Sequence, residues 1–137
     1  MKIKIENLKV VHSAKLPYAD DGFYATETEK RSMNIITSKE AKKEQIHSLV
    51  KVHPETQKKG LFINPVYTSH IQGFNEEESF LLLSKLYEHM TQEKYIYRHK
   101  WKENMLLMWD NRTVMHMAEG GYDGYDRLLH RITIANS

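Results

Sequence analysis

The sequence predicts a mainly β chain carrying at least one amphipathic helix, arranged as a sandwich or jelly roll. Four short segments, Tyr95 to His99, Met105 to Trp109, Thr113 to Ala118 and Leu128 to Ile134, are rich in strand formers and separated by the turn-forming stretches WKEN, DNR and EGGYDGYD. A capped segment over about 76–91 repeats apolar residues at helical spacing. No helical crossover separates the successive strand segments, which argues against a parallel sheet.

Taken in order, the chain opens with Ile3, Ile5, Leu8, Val10 and Val11, after which charged and small polar residues dominate from Ser13 to Gln45. So sparse an apolar pattern cannot bury a helical face, and residues 1–45 are expected to be a polar, partly mobile segment. Residues 46–137 are expected to hold the folded β part. HPETQKKG at 53–60 reads as an exposed polar turn leading into a short strand at Leu61, Phe62 and Ile63. Asn75 followed by three glutamates reads as a helix start: a side-chain cap, carboxylates near the positive end of the dipole, and Glu78 placed to close a capping box. Phe80, Leu83, Tyr87 and Met90 form the predicted apolar stripe, and the helix is expected to end near Thr91. Strands at 95–99, 105–109, 113–118 and 128–134 follow.

Composition narrows the chemistry. The 137 residues carry 20 Lys plus Arg against 18 Asp plus Glu, and a net charge of +2 gives no reason to expect nucleic acid or an anionic membrane as partner. There are no cysteines, so any metal chemistry must use His and carboxylate. No apolar run approaches the roughly 20 residues of a membrane-spanning helix, and the start lacks a signal peptide's apolar centre, so a cytoplasmic protein is expected.

On a strand from Thr113 to Ala118, His116 shares a face with the small side chains Val114 and Ala118. It is open to metal ligation, although the commoner role of such a residue is that of a hydrogen-bonded structural histidine. In the last strand Arg127, Leu129, Arg131 and Thr133 share a face. Two arginines facing one way suit an anionic ligand held by forked hydrogen bonds, or pairing with carboxylates such as Asp110, Asp123 or Asp126.

Three segments together, HPETQKKGLFINPVYTSHIQGFNEEES, RHKWKENMLLMWDNRTVMHMA and DRLLHRITI, resemble the C-terminal half of the taurine dioxygenase (TauD/TfdA) family in order and spacing, over roughly residues 46 to 134. The resemblance rests on WDNR, the histidine five residues after Asn111, and an HRIT strand with an arginine four residues earlier. It implies a partial double-stranded β-helix (jelly roll), with residues 46–137 as its C-terminal part. It further implies an Fe(II)- and 2-oxoglutarate-dependent dioxygenase that uses dioxygen to hydroxylate a small anionic substrate: a sulfonate such as taurine, a sulfate ester or a carboxylate. His116 then matches the distal iron ligand, Arg127 the residue binding the far carboxylate of 2-oxoglutarate, and Arg131 the residue meeting the substrate's anionic group. Tyr67, Thr68 and His70 fall where the family places pocket side chains, and Tyr67 is the substrate-binding candidate among them. In such a site two histidines and one carboxylate hold iron on one face, and 2-oxoglutarate is decarboxylated to succinate as the substrate is hydroxylated.

The family's proximal ligands form an H-x-D motif, and no H-x-D occurs in this sequence. LKVVHSA at 8–14 resembles the segment that follows that motif, which makes His12 an unsuitable proximal ligand. His53-Pro54-Glu55 belongs to the HPET turn. The resemblance thus leaves open a truncated gene product, a half-enzyme completed by a missing N-terminal half on another chain, or a catalytically inactive member acting as an anion-binding or oligomerising β module. Uncovered sheet edges make a homo-oligomer the expected state. A further alternative is a small metal-binding β-barrel using His53, Glu55 and His116.

Overall fold

The computed structural model describes residues 5–27, 35–121, 124–126 and 128–134. Its centre is β1 (Lys9–Ser13), flanked by β2 (Glu44–Ser48) and β5 (Thr68–Ile71) in an antiparallel sheet of order β2-β1-β5. Val10 sits opposite His47 on one side and Ile71 on the other, and a bulge between Val11 and His12 shifts the register toward β5. Ordered structure therefore lies on both sides of residue 45. Between β1 and β2 the chain makes two four-residue helical turns, α1 (Lys15–Tyr18) and α2 (Phe23–Thr26), and a 3-10 turn at Lys39–Lys42. Gly22 joins α1 to α2 where a Cβ would lie 2.8 Å from the Lys15 carbonyl oxygen and 2.9 Å from that of Leu16. Only glycine fits that close approach.

A second, two-stranded ladder pairs β3 (Val50–Val52) with β4 (Lys59–Leu61), Val50 opposite Leu61. The strand expected at 61–63 thus begins two residues earlier, because the turn after His53 closes through Gln57 at φ 57° and brings Lys59 opposite Val52. Leu49 joins the two sheets: its N–H donates to the Leu8 carbonyl, and its own carbonyl accepts from the Phe62 N–H.

The expected helix is α3 (Glu76–Met90). Asn75 Oδ1 accepts from the Glu78 N–H at 2.8 Å, and Glu78 Oε2 accepts from the Asn75 N–H at 3.2 Å, completing the capping box. Its buried face differs from the expected stripe in one position. Phe80 is 68% exposed, while Ser79, Leu83 and Leu86 are buried. The cause is a hydrogen bond: Ser79 Oγ accepts from the Ile71 N–H at 3.1 Å and so turns that side of the helix onto β5. Leu83 and Leu86 then join Ile5, Val10, Leu49, Ile63 and Ile71 in one core, with Tyr87 and Met90 packed against it. Asn75→Ala should cost about 1 kcal/mol of stability, read from the denaturation midpoint, since it removes the cap but no core contact; an unchanged midpoint would show the box to be energetically idle.

Beyond the 3-10 turn at Glu93–Tyr95 the described residues form no further strand. The strands expected at 95–99, 105–109, 113–118 and 128–134 are therefore corrected. A strand needs a neighbouring backbone to take its N–H and C=O groups, and an alternating apolar pattern needs a second surface to bury it. Neither is present among the described residues, and Leu106, Met117 and Ile132 accordingly stand more than four-fifths exposed. By number of elements the regular part is nonetheless mainly β: five antiparallel strands stand against one long helix and two four-residue helical turns among the described residues. No helix among the described residues is long and apolar enough to cross a membrane.

Candidate functional site

The strongest polar constellation joins the HPET turn to the WDNR turn, 57 residues apart in sequence. His53 is 9% exposed, so the turn expected to be exposed is anchored by a buried imidazole. Its Nδ1 accepts from the backbone N–H groups of Glu55 (3.3 Å) and Thr56 (3.1 Å), and its Nε2 lies 3.0 Å from Asp110 Oδ2. Arg112 closes the group: Nε reaches Asp110 Oδ1 at 2.9 Å, and a terminal nitrogen reaches Asp110 Oδ2 at 2.6 Å and Glu55 Oε1 at 3.1 Å. The forked contact with Arg112, helped by the His53 hydrogen bond, holds the Asp110 carboxyl far below the ordinary carboxylate range. Asp110 also closes its own turn by accepting from the Arg112 N–H, as its place in WDNR implied. Asn111 instead accepts the Trp109 indole N–H at 2.8 Å.

His116 is exposed and lies beside Trp109, ring centroids 4.8 Å apart. Trp109 itself is 38% exposed and packs on His116 rather than in the core. Tyr67 lies at the start of β5, stacked at 6.3 Å on Tyr18 from α1, which in turn packs on Tyr24 of α2 at 5.3 Å. Burial, then the Tyr18 hydroxyl, push the Tyr67 phenol up to about 12, while Arg131 pulls it the other way. Asp110, one of the carboxylates considered for the arginines, is committed to Arg112 and His53. Arg127 lies outside the described residues. Thr68 is buried, its Oγ1 accepting from the Asn64 N–H and meeting His12 Nε2 at 3.1 Å, which is a packing role.

Sequence reasoning missed Tyr18 and the burial of His53. The first lies in a stretch too polar to suggest an aromatic cluster with Tyr67. The second depends on a partner far along the chain.

No group of three His, Cys, Asp or Glu that could hold a metal ion exists among the described residues. His53 and Glu55 are engaged with Asp110 and Arg112, which removes the barrel using His53, Glu55 and His116. His116 offers a single imidazole, so the described donors do not by themselves fit an iron centre of two histidines and a carboxylate.

The model of the family described as taurine catabolism dioxygenase TauD, TfdA family, matches residues 2–133, and the chain belongs to that family. It is 47% identical over 68 residues to an alpha-ketoglutarate-dependent 2,4-dichlorophenoxyacetate dioxygenase of Burkholderia sp. (strain RASC), a match covering 50% of this chain and 23% of that protein. It is 34% identical over 131 residues to an alkylsulfatase of Acinetobacter baylyi, covering 95% of this chain and 40% of the relative. The crystal structure of AAD-2 in complex with Mn(II) and N-oxalylglycine superposes with a TM-score of 0.55 at 32% identity, over 74% of this chain and 36% of that one. The chain thus spans two-fifths or less of the length of these relatives. Its architecture is part of the jelly roll of this family.

Proposed function

We propose that the chain supplies the C-terminal part of an Fe(II)- and 2-oxoglutarate-dependent dioxygenase site that hydroxylates a small anionic substrate. The observation that carries this reading is the family match across residues 2–133, a span that contains the WDNR turn and His116. In this reading His116 is an iron ligand, Arg127 holds the far carboxylate of 2-oxoglutarate, and Arg131 with Tyr67 receives the anionic end of a sulfonate, sulfate ester or carboxylate. A guanidinium and a phenol together would offer an anion both charge and a hydroxyl donor, and the electrostatic pull of Arg131 on the Tyr67 phenol supports pairing them. The second imidazole and the carboxylate have to come from an H-x-D segment, and no catalytic step is assigned to this chain alone.

A second reading, a family member without catalysis that binds anions or oligomerises, draws on the outward-facing Leu106, Met117 and Ile132. Anaerobic titration with Fe(II) and 2-oxoglutarate separates the two. Mixed with a chain carrying the H-x-D half, the protein should give the weak visible charge-transfer band of chelated 2-oxoglutarate, and His116→Ala should abolish it. No band with or without that second chain, together with self-association in sedimentation, would establish the non-catalytic reading.

A further inference from the structure

The geometry points to His53 as a positioning residue for His116, acting through Asp110. The inference rests on the proposed function only in taking His116 as a metal ligand; the clasp itself is a matter of structure.

His53 has its tautomer dictated by its neighbours. Two backbone N–H groups, of Glu55 and Thr56, point at Nδ1, so that nitrogen must carry a lone pair and the proton sits on Nε2. Nε2–H then donates to Asp110 Oδ2. Arg112 spans Asp110 and Glu55, so the two turns are joined twice, once through His53 and once through the guanidinium. On the far side, the Asp110 carbonyl accepts from the N–H groups of Thr113 and Val114, which starts the segment leading to His116 on a fixed course. Trp109, the residue before Asp110, packs its ring against His116, and its indole is held by Asn111. The stretch from Trp109 to His116 is thereby fixed at its start by the clasp and at its end by the ring contact. This matters because the stretch has no ladder of its own among the described residues: side-chain ties take the place of strand pairing.

Glutamine and asparagine separate the two halves of the imidazole. In His53→Gln the side-chain amide nitrogen can take the place of Nε2 and donate to Asp110, but nothing accepts the turn amides. In His53→Asn the side-chain oxygen can replace Nδ1 and keep the turn, but no donor reaches Asp110. The readout is a nitrogen–proton correlation spectrum of the full chain, following the Trp109 indole N–H and the His116 ring, with Trp101→Phe used for assignment. His53→Gln is expected to leave both signals in place while the Glu55 and Thr56 amides move; His53→Asn is expected to do the reverse. Asp110→Ala, which removes the acceptor from a side chain already in contact with solvent, should displace the same two signals without touching the turn amides. The inference is overturned if His53→Asn and Asp110→Ala both leave the Trp109 and His116 signals in place.

The clasp and the metal reading fail separately. The expected shifts in a protein that gives no charge-transfer band in the titration above would keep the clasp and remove the proposed function. A band in that titration, with unmoved signals in His53→Asn and Asp110→Ala, would keep the function and remove the clasp.

Discussion

Leu49→Ala is expected to lower stability by about 2–5 kcal/mol, the range for deleting a buried leucine from a packed core. Leu49 is fully buried and lies between the two sheets, in contact with the core formed by Val10, Ile63, Ile71 and the α3 leucines. Its backbone adds to the cost of disturbance, because its N–H and carbonyl tie Leu8 to Phe62. A cavity there loosens three elements at once. Against a total stability of about 5–15 kcal/mol for a typical domain, such a loss leaves a large unfolded fraction at moderate denaturant. Ile46→Ala is the control: Ile46 is one residue pair from the same sheet centre but half exposed, and its removal should stay within about 0.5 kcal/mol. Urea denaturation of the two variants decides the matter, and a Leu49→Ala loss below about 1 kcal/mol would mean that the two sheets do not share a core.

Helix α3 was legible because its determinants are local. Asn75, Glu78 and the leucines lie within a few turns of one another, and capping chemistry does not depend on the rest of the fold. What could not be read locally was the rotation of that helix, which Ser79 sets by accepting from Ile71 on a strand outside it. The same distinction separates β1 and β2 from the segments after residue 95. Both sets carry strand-forming residues, but a ladder exists only where a second backbone lies alongside, and among the described residues the later segments have none. For the site, the type of each candidate was legible through motif spacing, while its surroundings were not. HPET reads as a polar turn, and nothing near it in sequence announces that Asp110 will bury His53. His116 could be picked out from WDNR, but the ring of Trp109 beside it is a tertiary fact. Arg131 and Tyr67 are 64 positions apart, and nothing local in the sequence relates one to the other.

Acidification below about pH 6.5 is expected to destabilise the fold well before its carboxylates titrate. His12 on β1 stacks on Phe62 at 5.4 Å and meets His47 of β2 edge-on at 5.2 Å, while Lys51 of β3 lies 3.5 Å over the same Phe62 ring. Burial, the neighbouring His47 and Lys51 lower the affinity of His12 for a proton, with the Phe62 carbonyl opposing; burial and Lys51 do the same to His47. Both folded values therefore lie below the ordinary 6.5, so the unfolded chain takes up protons first. The corresponding stability is fully present above 6.5 and is lost as pH falls through that value toward the folded ones. Asp110, depressed from 3.8, loses its contribution only at much lower pH and does not overlap this window. Thermal midpoints should thus fall between pH 7 and 5.5, with a slope of up to one proton per histidine, and the double variant His12→Gln, His47→Gln should flatten the profile. An equally steep fall in that variant would place the acid sensitivity elsewhere. A flat wild-type profile would show that the three cations around Phe62 relax apart at no cost, which the close ring contacts argue against.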